Sequence, residues 1–115
     1  MRKRRVETPD GRYVVSRGRL KRNSDPTLPV SERRAWIKKL MQARLATRRA
    51  QTETKREAAW SAVQEAKRAL GEKGPVWWSD GAPDESGADP IDSSYSEWWT
   101  ALDDDTRRAA SSSRD

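Results

Sequence analysis

The chain has 115 residues, 33% hydrophobic and 37% charged, so it holds at most one domain with a modest core and extensive solvated surface. It contains no cysteine and no histidine, which excludes disulfides, thiolate nucleophiles, the usual zinc sites and imidazole proton transfer. No apolar run approaches the ~20 residues that cross a bilayer, and no signal-peptide core follows the basic N-terminus. We therefore expect a cytoplasmic protein with no membrane partner.

Charge is divided unequally along the chain. Residues 1–56 carry 18 Lys/Arg against 5 Asp/Glu, and residues 57–115 carry 6 against 13. A basic half of this kind meets a polyanion, pairs with the acidic half of its own chain, or does both. The acidic half is thus a candidate internal competitor for the basic site.

Residues 1–22 predict a basic β-hairpin. Short β-branched and aromatic segments flank Pro9, Asp10 and Gly11, which have the turn chemistry of a three- or four-residue hairpin loop. Gly18 is interpreted as a bulge or bend in a longer second strand. A lone two-stranded hairpin is marginal in water, so this one must pack against another segment.

A proline-rich connector over residues 23–30 precedes a helical segment over residues 31–71. Ser31 stands at a predicted N-cap, no Gly or Pro follows before Gly71, and Gly71 marks the helix end. The apolar stripe is interrupted between its two halves, and Thr54 and Glu57 have capping-box spacing. We expect one continuous helix, with a helical hairpin broken near residues 50–54 as the alternative.

Residues 72–105 form an acidic arm rich in Gly, Pro, Ser and Asp, and residues 106–115 are expected to be disordered. Two tryptophan pairs, Trp77–Trp78 and Trp98–Trp99, interrupt the arm. Their rings are expected to pack on the alanine-rich helix face, with one ring of each pair turned inward. The fold class is therefore mainly α, or α+β, with a Trp-anchored irregular C-terminal arm.

The arginine-rich hairpin and helix face predict binding to nucleic acid or ribonucleoprotein. Arginine suits bidentate contact with phosphate, and no base-reading pattern is present, so contact to the backbone without base specificity is expected. A solvated face paired with the acidic tail, or contact with another acidic protein, remains an alternative. The candidate nucleic-acid residues are Arg4, Arg5, Arg12, Tyr13, Arg17, Arg19, Lys21, Arg22, Arg33, Arg34, Lys38, Arg48 and Arg49.

A protein-interaction or oligomerisation module is the alternative function. Its contact surface would be a helix seam of Trp36, Ile37, Leu40, Met41 and Leu45, together with the outward rings of the arm. The candidate interaction residues are Trp36, Leu40, Trp78 and Trp99.

The remaining residues predict no enzyme. Asp80, Asp84, Asp89 and Asp92 lack the register of a calcium loop, and a chain this small and polar has little volume for a pocket that shifts a carboxylate pKa. No nucleophile and base stand in a recognisable arrangement. We therefore predict no catalytic residue, no metal site and no cofactor.

The segment "GPVWWSDGAPD", Gly74 to Asp84, joins the hairpin "ETPDGRYVVSRGRL", the helical "SERRAWIKKLMQAR" and the closing "YSEWWTAL" in one pattern. Across residues 5–102 this pattern resembles a family of small uncharacterised bacterial proteins, mostly proteobacterial. The resemblance implies a folded domain and a bacterial cytoplasmic setting. It assigns no activity, cofactor, partner or functional residue.

Overall fold

The computed structural model describes residues 5–112 and divides the chain into two compact units. The hairpin unit comprises residues 1–23 and 80–115, and the helix unit comprises residues 24–79. The hairpin unit contains strands β1 (Tyr13–Ser16) and β2 (Arg19–Arg22), a 3-10 turn (Pro90–Asp92), and helices α3 (Ser96–Ala101) and α4 (Asp104–Ser112). The helix unit contains α1 (Val30–Arg49) and α2 (Glu53–Leu70). The predicted α+β class is confirmed.

The helix unit is a helical hairpin, so the expectation of one continuous helix over residues 31–71 is wrong and its alternative is confirmed. Ala50 and Thr52 adopt extended backbone conformations between the helices. The Thr52 hydroxyl accepts a hydrogen bond from the backbone N–H of Lys55 at 3.2 Å and caps α2. The cap thus lies two residues before the predicted Thr54. Because the chain folds back between α1 and α2, the two halves of the interrupted apolar stripe are buried against each other.

Apolar side chains from both helices form the core of the helix unit. Leu40 and Ala43 of α1 pack with Val63, Ala66 and Leu70 of α2. Small alanines let the helices approach closely, and the two leucines fill the space between them. Leu28 and Trp36 cover this cluster while keeping part of their surface in solvent. The helix pair is therefore stabilised mainly by apolar contacts.

The two ends of the predicted helical segment differ in how well they match the sequence. Helix α1 begins at Val30 after Pro29, so the predicted Ser31 cap is wrong: proline sets the backbone angle that leads into the first turn. Gly71 ends α2 as predicted, with φ of +83° and an N–H bonded to Arg68 O at 3.0 Å. A side chain there would be strained and would lie 3.0 Å from Asp25 Cβ.

The first tryptophan pair lies in the helix unit. The rings of Trp77 and Trp78 meet edge to face, with centroids 5.1 Å apart. Trp78 is buried and Trp77 is half-buried beside Gly71. The sequence predicts one inward ring for each pair, and Trp78 is that ring here.

The hairpin unit turns at Arg17 and Gly18, whose φ angles of +53° and +78° match a two-residue turn with both central residues in the left-handed region. Tyr13 pairs with Arg22, and Ser16 pairs with Arg19. Gly18 therefore lies in the turn between β1 and β2, so its interpretation as a bulge or bend within a longer second strand is wrong. The predicted turn at residues 9–11 does form, but it joins β1 only to a short preceding segment, where Glu7 bridges Val14.

Backbone hydrogen bonds extend the two-stranded sheet on both sides. On the β1 side, the N–H of Val15 donates to Val6 O at 2.9 Å. On the β2 side, Leu20 donates to Ala88 O at 2.9 Å and accepts from the N–H of Gly87 at 2.8 Å. The arm segment around residues 87–88 therefore lies along β2 like a short additional strand.

The C-terminal segment is more ordered than the sequence predicts. The arm contains the 3-10 turn and α3, and α4 runs through residues 106–112, so the expected disorder is wrong there; residues 113–115 lie outside the described part. Asp103 accepts from the N–H of Thr106 at 2.7 Å and caps the helix. Ala110 is buried and its carbonyl accepts from Gly18. Capping and this contact order α4.

The second tryptophan pair belongs to the hairpin unit rather than to the unit of the long helices. Trp98 and Trp99 are consecutive residues of α3, with ring centroids 6.3 Å apart, and both are half-buried. Because α3 is helical, their side chains diverge by about 100° rather than alternating as in an extended chain. The expectation that one ring of this pair is buried and the other exposed is therefore wrong.

Candidate nucleic-acid interface

The arginines of the hairpin pair with carboxylates of the acidic arm. Arg12 donates a hydrogen bond to Asp80, which lies 68 residues further along the chain. Arg22 is 2% exposed and lies 3.7 Å from an oxygen of Asp84. The arm therefore occupies two of the side chains that the sequence assigns to phosphate.

Arg19 makes a third and looser contact with the same segment. Its guanidinium lies 3.8 Å from Asp89 and donates to the Gly87 carbonyl at 2.9 Å, with both charged side chains more than half exposed. Such a pair contributes little to stability. It nevertheless places an acidic group beside the exposed side of β2.

These contacts shift the ionisation of the arm and the turn. The hydrogen bond from Arg12 lowers the pKa of Asp80, and the same contact raises the pKa of Arg12. Partial burial works to raise the pKa of Asp84, but hydrogen bonds from Ser86 and the charge of Arg22 bring it below its ordinary value. Both carboxylates are therefore held in their charged form.

Tyr13, the aromatic residue proposed to stack on a base, is 1% exposed. Its hydroxyl accepts from the N–H of Glu85 at 2.8 Å, and its ring meets that of Tyr95 edge to face. Burial raises the pKa of its phenol. Tyr13 is a core residue of the hairpin unit, so its assignment as a nucleic-acid contact is wrong.

Tyr95, the residue that precedes α3, is hydrogen-bonded to the turn at residues 9–11. Its hydroxyl donates to Asp10 at 2.7 Å, and burial together with this bond raises the pKa of the phenol. Partial burial works to raise the pKa of Asp10, but the hydrogen bonds from Tyr95 and Thr8 lower it. The turn predicted from Pro9 to Gly11 is therefore anchored by a side chain 85 residues away.

The other hairpin candidates have different surroundings. Arg5 donates to Asn23 at 2.8 Å, Lys21 is half-buried, and Arg17 is exposed at the turn. Arg4 lies outside the described residues. Over residues 5–22, the hairpin therefore does not present its basic residues as one continuous phosphate-binding surface.

Helix α1 carries most of the uncompensated charge. It has seven Lys/Arg and one acidic residue, Glu32. Six of these cations are exposed; Lys39 contacts the ring of Trp36, and the other five form no ion pair within residues 5–112. They are Arg34, Lys38, Arg44, Arg48 and Arg49. We call these five side chains the α1 basic face.

Arg33 does not belong to this face. It is half-buried and donates to the Asp25 carbonyl at 2.8 Å, so it ties the connector to α1. Lys39 lies over the ring of Trp36, with its ammonium 4.4 Å from the ring centroid. Both cations are engaged within the helix unit.

The predicted protein-interaction seam is divided between two sides of α1. Leu40 is 5% exposed in the core and Trp36 is half-buried against it, so the assignment of Leu40 to an open contact surface is wrong. Ile37, Met41 and Leu45 are exposed and lie among the cations of the α1 basic face. The face thus combines positive charge with an apolar ridge at four-residue spacing.

Trp78 is more buried than Trp77, so its assignment as an outward anchor is wrong. Trp99 is half-buried, with its backbone carbonyl accepting from Arg107 at 3.3 Å. The exposed tryptophan is instead Trp60 of α2, at 56% exposure, which sequence reasoning missed. The sequence does place Trp60 directly after Ala59 and outside the apolar stripe of Ala59, Val63 and Ala66, a position that indicates exposure.

The units differ in net charge. The hairpin unit contains 12 Lys/Arg and 12 Asp/Glu, and the helix unit contains 12 against 6. The helix unit therefore accounts for the whole net charge of +6. The surplus positive charge that sequence analysis spread over the hairpin and the helix is concentrated in the helix unit.

Comparison with protein-family models, curated proteins and solved structures finds no match for this chain. The resemblance to a bacterial family therefore stays a prediction. Within the described residues, no three His, Cys, Asp or Glu side chains are grouped to hold a metal ion. None of the helices described in residues 5–112 combines the length and apolar character needed to span a membrane.

Proposed function

We propose that this protein binds nucleic acid through phosphate contacts made by the α1 basic face. The observation that carries the proposal is the set of five exposed cations on one helix, without an ion-pair partner among residues 5–112. Four are arginines, whose planar groups donate two parallel hydrogen bonds to a phosphate. The proposal moves the main contact from the hairpin to α1.

The distribution of these cations suits a backbone contact. Arg34, Lys38 and Arg48 extend over four turns of α1, a rise of about 21 Å along the helix axis. Duplex DNA presents one phosphate charge per ~1.7 Å of its axis, so a helix of this length meets several phosphates at once. Such contacts hold the protein on the backbone without selecting a base sequence.

Fluorescence anisotropy with a labelled 20-base-pair duplex over a salt series tests the proposal. Five phosphate contacts predict a slope of about −4.5 for log affinity against log salt, or about 500-fold weaker binding at 200 mM than at 50 mM salt. The variant R34Q/K38Q/R48Q is expected to reduce the slope to about −2. Unchanged affinity and slope in this variant would contradict the proposal.

The matched control removes three cations from the hairpin unit. The variant R17Q/K21Q/R108Q changes net charge equally but leaves α1 intact. We expect its slope to remain close to that of the unmodified protein. If both triple variants lose affinity equally, binding follows net charge alone and the assignment to α1 fails.

An acidic protein helix is the second candidate ligand, favoured by the exposed Ile37 and Met41 within the α1 basic face. A partner helix with carboxylates beside a leucine stripe would cover both the cations and this ridge. Self-association through α1 is disfavoured because two copies of the helix, each with seven cations and one carboxylate, would repel each other. Weaker binding of a designed acidic leucine-striped peptide to I37S/M41S, with duplex binding unchanged, would support this candidate.

A further inference from the structure

Trp60 lies in a recess at the end of the helix unit where α1 and α2 meet. The recess has a volume of about 230 Å³ and is lined by Thr47, Glu53, Arg56, Glu57 and Trp60. That volume is below the ~300 Å³ of typical drug-sized ligand sites, so it suits one small flat group. Isolated exposed apolar residues are common, but this indole stands beside several polar groups that converge on one space.

The polar groups of the recess differ in how far they are already engaged. Arg56 pairs with Glu53 at 2.9 Å, and Thr47 donates its hydroxyl hydrogen to the Ala43 carbonyl at 2.9 Å. The side chain of Glu57 makes no ion pair or hydrogen bond among the described residues. An incoming ligand therefore meets an open indole ring and one free carboxylate acceptor.

Charge restricts what the recess accepts. Two carboxylates, Glu53 and Glu57, line the recess against one guanidinium, Arg56, so the recess itself repels a phosphate. A cationic ligand is repelled, as it approaches, by the net charge of +6 on the helix unit. A neutral planar group with N–H donors avoids both penalties: it stacks on the ring and donates to Glu57.

The α1 basic face continues to this recess. Thr47 lines it, and Arg44 lies one turn earlier on the same side of α1, while Arg48 follows Thr47 directly. A strand whose phosphates contact Arg44 and Arg48 would thus bring its bases within reach of Trp60. In a duplex those bases are paired and stacked inside, so they are not available to the ring.

We propose that the Trp60 recess holds an unpaired base of single-stranded nucleic acid. The base stacks on the indole, and its exocyclic amino group donates a hydrogen bond to the carboxylate of Glu57. The proposal rests on the proposed function, because Arg44 and Arg48 hold the adjoining phosphates. It adds a ligand class, single strands over duplexes. It also adds a preference: cytosine and adenine carry an exocyclic amino group, whereas thymine does not.

The test compares the affinities of four labelled nucleic acids at pH 7.5 and one fixed salt concentration. They are the single-stranded 12-nucleotide homopolymers of cytosine, adenine and thymine (dC12, dA12 and dT12) and a 12-base-pair duplex. The unmodified protein is expected to bind dC12 and dA12 several-fold more tightly than dT12. The W60A variant is expected to bind single strands about tenfold more weakly, with duplex affinity unchanged. W60F should recover most of the loss, because a phenyl ring still stacks.

Glu57→Met separates amino-group recognition from stacking. The thioether side chain has a similar size but no oxygen that accepts from an amino group, so the preference for dC12 and dA12 over dT12 should disappear while dT12 affinity is kept. Ile91→Ala, an exposed apolar residue of the hairpin unit, is the matched surface control and should change nothing.

The outcomes distinguish this inference from the proposed function. Duplex binding that depends on α1, with single-strand binding indifferent to W60A, would overturn the base recess and leave the proposed function standing. Absence of binding to any of the four nucleic acids would overturn both. Circular dichroism of W60A checks that the fold is retained, as expected for an exposed side chain.

Discussion

The two units of this protein contain the same number of basic residues but use them differently. In the hairpin unit, 12 Lys/Arg are balanced by 12 Asp/Glu, and Arg12 and Arg22 contact carboxylates of the arm. In the helix unit, 12 cations face 6 carboxylates, and the α1 basic face remains open to solvent. The number of arginines in a segment therefore indicates a polyanion site only when the positions of the carboxylates are also known.

The units also differ in what holds them together. The helix unit buries an apolar cluster around Leu70, whereas the hairpin unit combines a few buried apolar residues with hydrogen bonds that span much of the chain. Removing a side chain should therefore have different consequences on the two sides. The expected effects below run from the largest to the smallest.

The largest effect is expected in the apolar core. Leu70 is fully buried, so Leu70→Ala should lower the free energy of unfolding by about 2–5 kcal/mol, because it removes apolar contacts and leaves a cavity. Urea denaturation followed by circular dichroism measures the change. Met41→Ala, at a position 65% exposed, is the control and should stay within about 0.5 kcal/mol. If Leu70→Ala lowered the free energy of unfolding no more than Met41→Ala does, this cluster would not be what holds the helices together.

The next effect tests whether the hairpin arginines are structural. Arg22 is almost fully buried beside the partly exposed Asp84, and Arg22→Ala should cost about 2–3 kcal/mol after allowance for solvent screening of Asp84. Arg19→Ala, at an exposed pair, should cost less than about 1 kcal/mol. Chemical denaturation of both variants gives the comparison. Equal costs would remove the distinction between a buried and a surface arginine in this unit.

A third change is designed to make the hairpin unit resemble the helix unit. D80N/D89N gives the hairpin unit a net charge of +2 and removes the arm carboxylates that contact Arg12 and Arg19, while the buried Arg22 keeps its partner Asp84. Duplex affinity should rise, and the salt slope should steepen by about 1 to 2. The salt series used for the α1 variants measures it. An unchanged slope would show that hairpin arginines stay unavailable to phosphate even without their acidic partners.

The smallest effect is expected from pH. The folded-state pKa values of Asp10, Asp80 and Asp84 are lowered, so their contribution to stability is present above the unfolded value of about 3.9 and is lost as pH falls through the folded values. Hydrogen exchange at pH 5 and pH 3 should therefore show lower protection factors, relative to the intrinsic rates at each pH, for the amides of Arg12 and Ala82 at pH 3. Exchange in α2 around Leu70, held by apolar contacts, should follow only the intrinsic pH dependence.

Much of the helix unit could be predicted from the sequence because its signals are local. Gly71 ends α2 as its left-handed conformation requires, and an interrupted apolar stripe indicated the break between the helices. The choice between a rod and a helical hairpin depended on tertiary packing. The extended conformation at Ala50 and the cap at Thr52 decide it, in a stretch without Gly, Pro or Asn.

The hairpin unit was harder to predict because its interactions join distant residues. Tyr13 resembled an exposed aromatic among arginines, but its surroundings include Glu85 and Tyr95, more than 70 residues away. Sequence analysis did anticipate that the acidic half competes for the basic half, and the contacts of Arg12 and Arg22 with the arm agree with this. It could not indicate which cations are engaged, and therefore included Arg12, Tyr13 and Arg22, which are paired or buried within the hairpin unit.

The arm segment at residues 87–88 has a further consequence for how this protein behaves in a crowded solution. An open strand edge is a template for pairing with another chain, which leads to aggregation. Leu20 of β2 already exchanges two backbone hydrogen bonds with Gly87 and Ala88, and Val15 of β1 is bonded to Val6 on the opposite side. The acidic arm that pairs with the hairpin arginines thus also covers the β2 edge of the sheet. Loss of the arm would expose unpaired backbone groups on β2, which favour aggregation, as well as uncompensated positive charge.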